Sequence, residues 1–182
     1  MAKKNHPESI GTSYHIKGED TFIVEDPKDA SYVIDYINNF DKVAIISQTT
    51  MSVTGYKELI ENINKLFDNK FEELHLSLKD LLKPYVFVDT ICNPTKQRQS
   101  DTEEIAKKAD IMIVIGGKNS SNSKELAAKS KEFGVETYFI QSADQVQQDW
   151  FNGKEQVGVS AGASTPDITI NEVVDRIKEI AK

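Results

Sequence analysis

Apolar residues along the chain fall into short runs rich in β-branched side chains, separated by longer stretches in which they recur every three or four positions. The runs are TFIVE at 21–25, KVAII at 42–46, YVFV at 85–88, DIMIVI at 110–115, VETYFI at 135–140 and QVGVS at 156–160. Each has the length and composition of a strand. The stretches between them predict helices that start near Pro27, Ser52, Ser100, Ser121 and Ser142. Ser100-Asp-Thr-Glu103 and Ser142-Ala-Asp-Gln145 fit the capping box, and Pro166 follows Thr165 as a first helical residue follows its N-cap. Gly134, after AAKSKEF, suits the left-handed position that ends a helix. The last helix puts Ile170, Val173, Val174, Ile177 and Ala181 on one face, which must dock on a sheet. Strands alternating with helices predict an α/β chain of βαβ units on parallel sheets. LHLSLKDLL, inside 69–84, suits either a strand edge or a short helix. No linker rich in Gly, Pro or Ser divides the chain, so a domain boundary is expected at a short turn near 88–92.

Three of the predicted strands end in turns crowded with hydroxyl and amide side chains: SQTTMS after KVAII, GGKNSSNS after IMIVI and AGASTPD after QVGVS. An N-cap needs one such side chain. In an open parallel sheet the ligand crevice lies at the carboxyl ends of the strands, where helix N-termini offer free N–H groups and partial positive charge. Each turn alone reads as a plain cap; the three together point to an anionic, phosphorylated ligand held without a nucleotide P-loop.

Composition narrows the partners. Lys and Arg number 22 against 29 Asp and Glu, a formal net charge of −7, which argues against a nucleic-acid surface or a polybasic membrane patch. No apolar stretch reaches the roughly 18 residues of a membrane helix and MAKKNHPES has no signal-peptide core, so a cytoplasmic protein is expected. Cys92 is the single cysteine. It follows a strand, with Lys96 and Arg98 after it, and reads either as a small buried hydrophobe or as a thiolate stabilised by a helix N-terminus. His6 and Glu8, at i and i+2, would share a side of an extended segment as a proton-transfer pair, or belong to a solvated turn. His15 and His75 have no notable neighbours.

NHPESIGT, SQTTMSV, DTICNPTKQRQ, GGKNSSNSKELA and VSAGASTPD, in that order, resemble the 4-hydroxy-3-methylbut-2-enyl diphosphate reductase family from about Lys4 to the end of the chain. The family resemblance implies an iron–sulfur oxidoreductase of the non-mevalonate isoprenoid route with three α/β domains around a [4Fe–4S] cluster. It implies that this chain holds the second and third of them. The expected organisation is therefore two small α/β domains, each a parallel sheet flanked by helices: 1–88, completed by the C-terminal helix 166–182, and 89–165. By motif, Cys92 resembles one of three cluster ligands, Glu8 the proton donor with His6 beside it, and Thr49 the residue near the substrate hydroxyl. Ser120, Ser121, Asn122 and Ser164 resemble the diphosphate cradle. The first domain, with the other two cluster cysteines, has no counterpart here. The resemblance thus implies a chain inactive by itself, completed by that domain and served by a ferredoxin- or flavodoxin-type electron donor. The competing reading is a non-catalytic α/β module for a phosphorylated metabolite or phosphosugar.

Overall fold

The computed structural model describes residues 1–16, 21–73 and 83–181. These form two compact units, Met1–Cys92 and Asn93–Lys182.

The first unit runs through α1 (Pro7–His15), a 3-10 turn at Pro27–Asp29, α2 (Ala30–Ile37), β1 (Val43–Ile46), α3 (Val53–Leu66), β2 (Glu72–Glu73) and β3 (Tyr85–Val88). Its three strands are parallel in the order β1-β3-β2, with Val43 opposite Tyr85 and Glu72 opposite Val86. α3 carries the apolar stripe Tyr56, Leu59, Ile60 and Ile63 at helical spacing, all buried. Ser52 caps it by accepting from the Gly55 N–H at 3.2 Å. The Tyr56 hydroxyl donates toward the carbonyls of Ile45 (3.2 Å) and Val88 (2.8 Å). Burial pushes its ionisation well above the ordinary phenol range, so it stays a donor.

The second unit contains α4 (Asn93–Ala106), β4 (Ile111–Ile115), α5 (Ser121–Glu132), β5 (Glu136–Ile140), 3-10 turns at Ala143–Gln145 and Gln148–Phe151, β6 (Val157–Ala161) and α6 (Asp167–Ile180). Its sheet is parallel in the order β5-β4-β6, with Ile113 opposite both Tyr138 and Val159. Central β4 is fully buried at all five positions, which is why IMIVI is continuous rather than alternating. Ile111, Ile113 and Ile115 pack on one face with Val173 and Ile177 of α6; Val114 packs with Leu126 and Ala127 of α5 on the other. Tyr138 stacks on Trp150 at 3.8 Å between centroids, covering the edge.

The structure departs from the expectations above at definite places. The C-terminal helix, assigned to the first domain, belongs to the second unit: Val173 and Ile177 need the apolar face of β4, and the division falls after Cys92 rather than after residue 88. Residues 21–25 carry no strand. The helix placed near Ser100 starts at Asn93, directly after Cys92. Its buried positions Thr95, Gln99, Thr102 and Ala106 follow helical spacing but are mostly polar, so apolar periodicity does not reveal them. α1 was not expected at all. The helix expected at Ser142 is only one 3-10 turn, and Pro166 is the N-cap of α6 rather than its first residue. All of LHLSLKDLL (74–82), His75 included, lies outside the described residues. Gly134, with φ +74°, ends α5 as expected.

Candidate functional site

Each unit carries its own group of the expected residues. In the first unit, His6 is the N-cap of α1, with Pro7 as first helical residue. Its Nδ1 accepts from the Glu8 N–H at 3.2 Å. His6 and Glu8 are thus related through a helix cap, not along an extended segment as expected. The cap turns the Glu8 carboxylate toward the loop after β1, where Oε1 accepts from the Thr49 N–H at 2.8 Å and Oε2 from the Thr49 hydroxyl at 3.0 Å. Both oxygens of one carboxylate are therefore held by one residue, fixing its plane. The Thr49 carbonyl accepts from the Cys92 N–H at 3.2 Å. His6, Glu8, Thr49 and Cys92 form one connected chain of contacts, although they come from three separated stretches of sequence.

Neighbours that the sequence did not single out keep this loop in place. Buried Gln48 accepts from the Lys3 N–H through Oε1 and donates from Nε2 to the Thr50 hydroxyl, both at 3.0 Å. The Ser47 N–H donates to the Thr90 hydroxyl at 2.8 Å, and that hydroxyl donates back to the Ser47 carbonyl. A hydroxyl-rich stretch after a strand was the available signal, but which members face inward could not be read from it.

In the second unit, the turns after β4 and β6 meet at the N-terminus of α5. Ser120 is the N-cap, its Oγ accepting from the Ser123 N–H at 3.2 Å and from the Ser123 hydroxyl at 2.9 Å. With two bonds accepted, the Ser120 hydroxyl keeps its own hydrogen to donate. Ser123, absent from the expected set, is the keystone: it is fully buried, and a Cβ placed on either Gly116 or Gly162 would overlap its side chain. Two glycines from two different strand ends thus let one serine close the gap between them. The Ile115 carbonyl accepts from the Gly162 N–H at 3.0 Å and the Thr165 hydroxyl at 3.1 Å, fastening the loop that carries exposed Ser164.

Asn122 is 5% exposed, yet neither its amide nitrogen nor its amide oxygen has a hydrogen-bond partner among the described residues. Leaving such a group buried and unpaired costs about 1–3 kcal/mol, so a retained one calls for a ligand or water. It sits in the first turn of a twelve-residue helix, where N–H groups and the helix dipole favour an anion.

A cluster fits this chain poorly on its own. Cys92 is the one cysteine in 182 residues, and among the described residues no three His, Cys, Asp or Glu side chains gather as a metal site. Other thiolates would have to come from outside these residues.

Residues 1–178 match the profile of the LytB protein family. The chain belongs to that family. A curated relative from Nautilia profundicola, 4-hydroxy-3-methylbut-2-enyl diphosphate reductase, is 38% identical over 178 residues, covering 98% of this chain and 57% of that protein. A solved structure of (E)-4-hydroxy-3-methyl-but-2-enyl diphosphate reductase, described as the terminal enzyme of the non-mevalonate pathway, is 37% identical with a TM-score of 0.50. It is covered over 57% of its length by 97% of this chain. The reductase from Plasmodium falciparum superposes with a TM-score of 0.75 at 23% identity, over 96% of this chain and 50% of that one, which speaks for the fold. The chain therefore spans little more than half the length of the LytB relatives it matches.

Proposed function

We propose that this chain is the C-terminal part of a 4-hydroxy-3-methylbut-2-enyl diphosphate reductase. In this reading the second unit holds the diphosphate and the first supplies a proton. The reaction replaces an allylic C–OH by C–H, takes up two electrons and two protons, and releases water. The residues of this chain account for the anion and a proton; the electrons and the remaining cluster ligands are left to the part of the protein these residues do not include. Cys92 is the one thiolate offered to the cluster, whose role when bound is to pass electrons to the substrate.

The observation that carries the reading is buried, unpartnered Asn122 at the start of α5. Its amide would donate to diphosphate oxygens alongside the Ser120 and Ser121 hydroxyls and the N–H groups of the first helical turn, with Ser164 offered from the loop after β6. Fixing the remote diphosphate positions the reacting end of the substrate. The Glu8 carboxyl, its plane held by Thr49, protonates the departing hydroxyl, with His6 returning the proton.

Calorimetry of the chain with this allylic diphosphate tests the proposal. Each charge-assisted hydrogen bond contributes about 1.5–3 kcal/mol, so Asn122→Ala should weaken binding by about one to two orders of magnitude. Ser130→Ala should not, because that hydroxyl donates within α5 to the Leu126 carbonyl. Tighter binding of a sugar phosphate than of the allylic diphosphate would overturn the reading and favour a phosphosugar module.

A further inference from the structure

Ser123 lies in the first turn of α5 with no exposed surface, so it touches no ligand, yet both of its donors end on Ser120. Its N–H donates to the Ser120 Oγ at 3.2 Å and its hydroxyl donates to the same atom at 2.9 Å. A serine hydroxyl has two acceptor sites and one hydrogen, so no acceptor site is left on Ser120. Any ligand atom that meets the Ser120 hydroxyl must itself accept. An N-cap needs only the first of these bonds. The second is additional, and it settles what the Ser120 hydroxyl can do.

The two glycines beside Ser123 separate its packing from its hydrogen bond. A Cβ at Gly116 would fall 2.5 Å from the Ser123 Cβ, so that glycine is needed opposite any side chain at 123. A Cβ at Gly162 would overlap the Ser123 Oγ but stand 3.2 Å from its Cβ, a close contact that a small shift relieves. Gly162 is therefore required by the oxygen alone. Alanine at both 123 and 162 would fill the same space with a methyl group; here a hydroxyl fills it, and its bond runs to the N-cap. Next to Ser120, the Ser123 N–H is taken by the Ser120 Oγ and the Lys124 N–H by the Ser120 carbonyl at 3.1 Å. The N–H groups of Ser121 and Asn122 remain as first-turn donors without an intrahelical partner.

We infer that Ser123 is a positioning residue of the anion cradle: its buried hydroxyl makes the Ser120 hydroxyl a donor to the ligand, alongside the Ser121 and Asn122 N–H groups. The cradle is thereby set to take an acceptor oxygen at that place, such as one of a diphosphate, and gains nothing from a ligand hydroxyl that needs an acceptor. The inference rests on the diphosphate reading above and adds to it a residue that acts only through another. Without the Ser123 bond the Ser120 oxygen can accept from water and its hydrogen can rotate, so the donor must be ordered when the ligand binds.

Calorimetric titration with inorganic diphosphate, on chains whose thermal melts are recorded first, tests this. Ser123→Ala should weaken binding about three- to tenfold, the size of one neutral hydrogen bond. Ser123→Ala combined with Gly162→Ala refills the space the oxygen leaves, and should recover melting temperature without recovering affinity. In a Ser120→Ala background, Ser123→Ala should bring no further loss of affinity, because the hydroxyl through which it acts is already gone. Affinity that returns together with stability in the Ser123→Ala, Gly162→Ala chain would overturn the inference, since Ser123 would then only fill space. So would unchanged affinity in Ser123→Ala, or an equal loss from it with and without the Ser120 hydroxyl. An unaltered chain that binds no diphosphate would overturn the underlying reading along with the inference, and is told apart because it shows before any substitution is made.

Discussion

The two units are built from the same kind of parallel three-stranded sheet, yet they close differently. In the second, β4 is interior, paired on both sides and fully buried. In the first, β1 stands at the edge and is only half covered, with an apolar cavity beside it. Of the nine large hydrophobic residues described as exposed, seven belong to the first unit, among them Phe22 and Ile46 on the cavity wall. The second unit places residues 111–115 between two partner strands, whereas among the described residues β1 of the first is paired along its length with β3 alone, Met1 bonding only at its end. Were the 390 Å³ cavity closed, a penalty of about 24 cal/mol per Å³ would give an upper bound of ~9 kcal/mol, comparable to the stability of a whole domain.

The largest expected effect on this contrast comes from truncating the two strands. Ile113→Ala, at the centre of β4, should cost about 2–5 kcal/mol and lower the denaturation midpoint of the second unit. Ile45→Ala, beside the cavity, should cost about half as much or less, because its surroundings are incompletely packed. Chemical denaturation with a probe in each unit checks this, and equal losses would break the comparison.

The next effect is specific to the second unit. Gly162→Ala places a methyl where Ser123 already is, and should cost about 1–3 kcal/mol and weaken diphosphate binding. Adding Ser123→Gly removes the overlap and should recover part of that stability. If Gly162→Ala alone proves harmless in a thermal melt, Ser123 is not the keystone of the two strand ends.

In the first unit the Met1 ammonium gives a pH signature. Its pKa falls from 8.0 to about 6 on folding because burial disfavours the charge. Between those values the unfolded state binds more protons, so stability should rise from pH 6 to pH 8 and level off above. At about 1.4 kcal/mol per pH unit the gain is at most about 3 kcal/mol. Denaturation midpoints across this range should show the slope, and acetylation of the amino group should flatten it.

Thr49→Val is expected to have the smallest effect, removing the hydroxyl bond to Glu8 but leaving the backbone one. A loss of about 1 kcal/mol in stability, measured by denaturation, sharpens the view that the two bonds orient the carboxylate rather than hold the unit together.

What could be read from the sequence follows the same division. β4, β5 and β6 were legible to within a residue because they are short, β-branched and bounded by turns, and Ser120 was legible as a cap. α1 was not, because Ile10 and Tyr14, its large hydrophobics, both stay exposed and leave no buried apolar stripe. The start of α4 was hidden by a buried stripe of Thr95, Gln99 and Thr102, whose spacing is helical but whose chemistry is not that of a core. Residues 21–25 have strand composition without strand structure, since composition reports a preference and pairing needs a partner. Of the candidate site, the residues were visible as motifs, but three relations were not: the Glu8–Thr49 pair, the placing of Ser123 between two glycines, and the unpaired amide of Asn122. All three join positions brought together only by the fold or depend on what is missing around a side chain.

We propose that the strand ends of the second unit hold a diphosphate through the start of α5. Titration of the isotopically labelled chain with inorganic diphosphate, followed by amide chemical shifts, tests it most directly. Saturable shifts should concentrate at 116–123 and 161–165, be largely abolished in Asn122→Ala and be preserved in Ser130→Ala. Shifts scattered over exposed lysines, or an identical saturable response in Asn122→Ala, would contradict it.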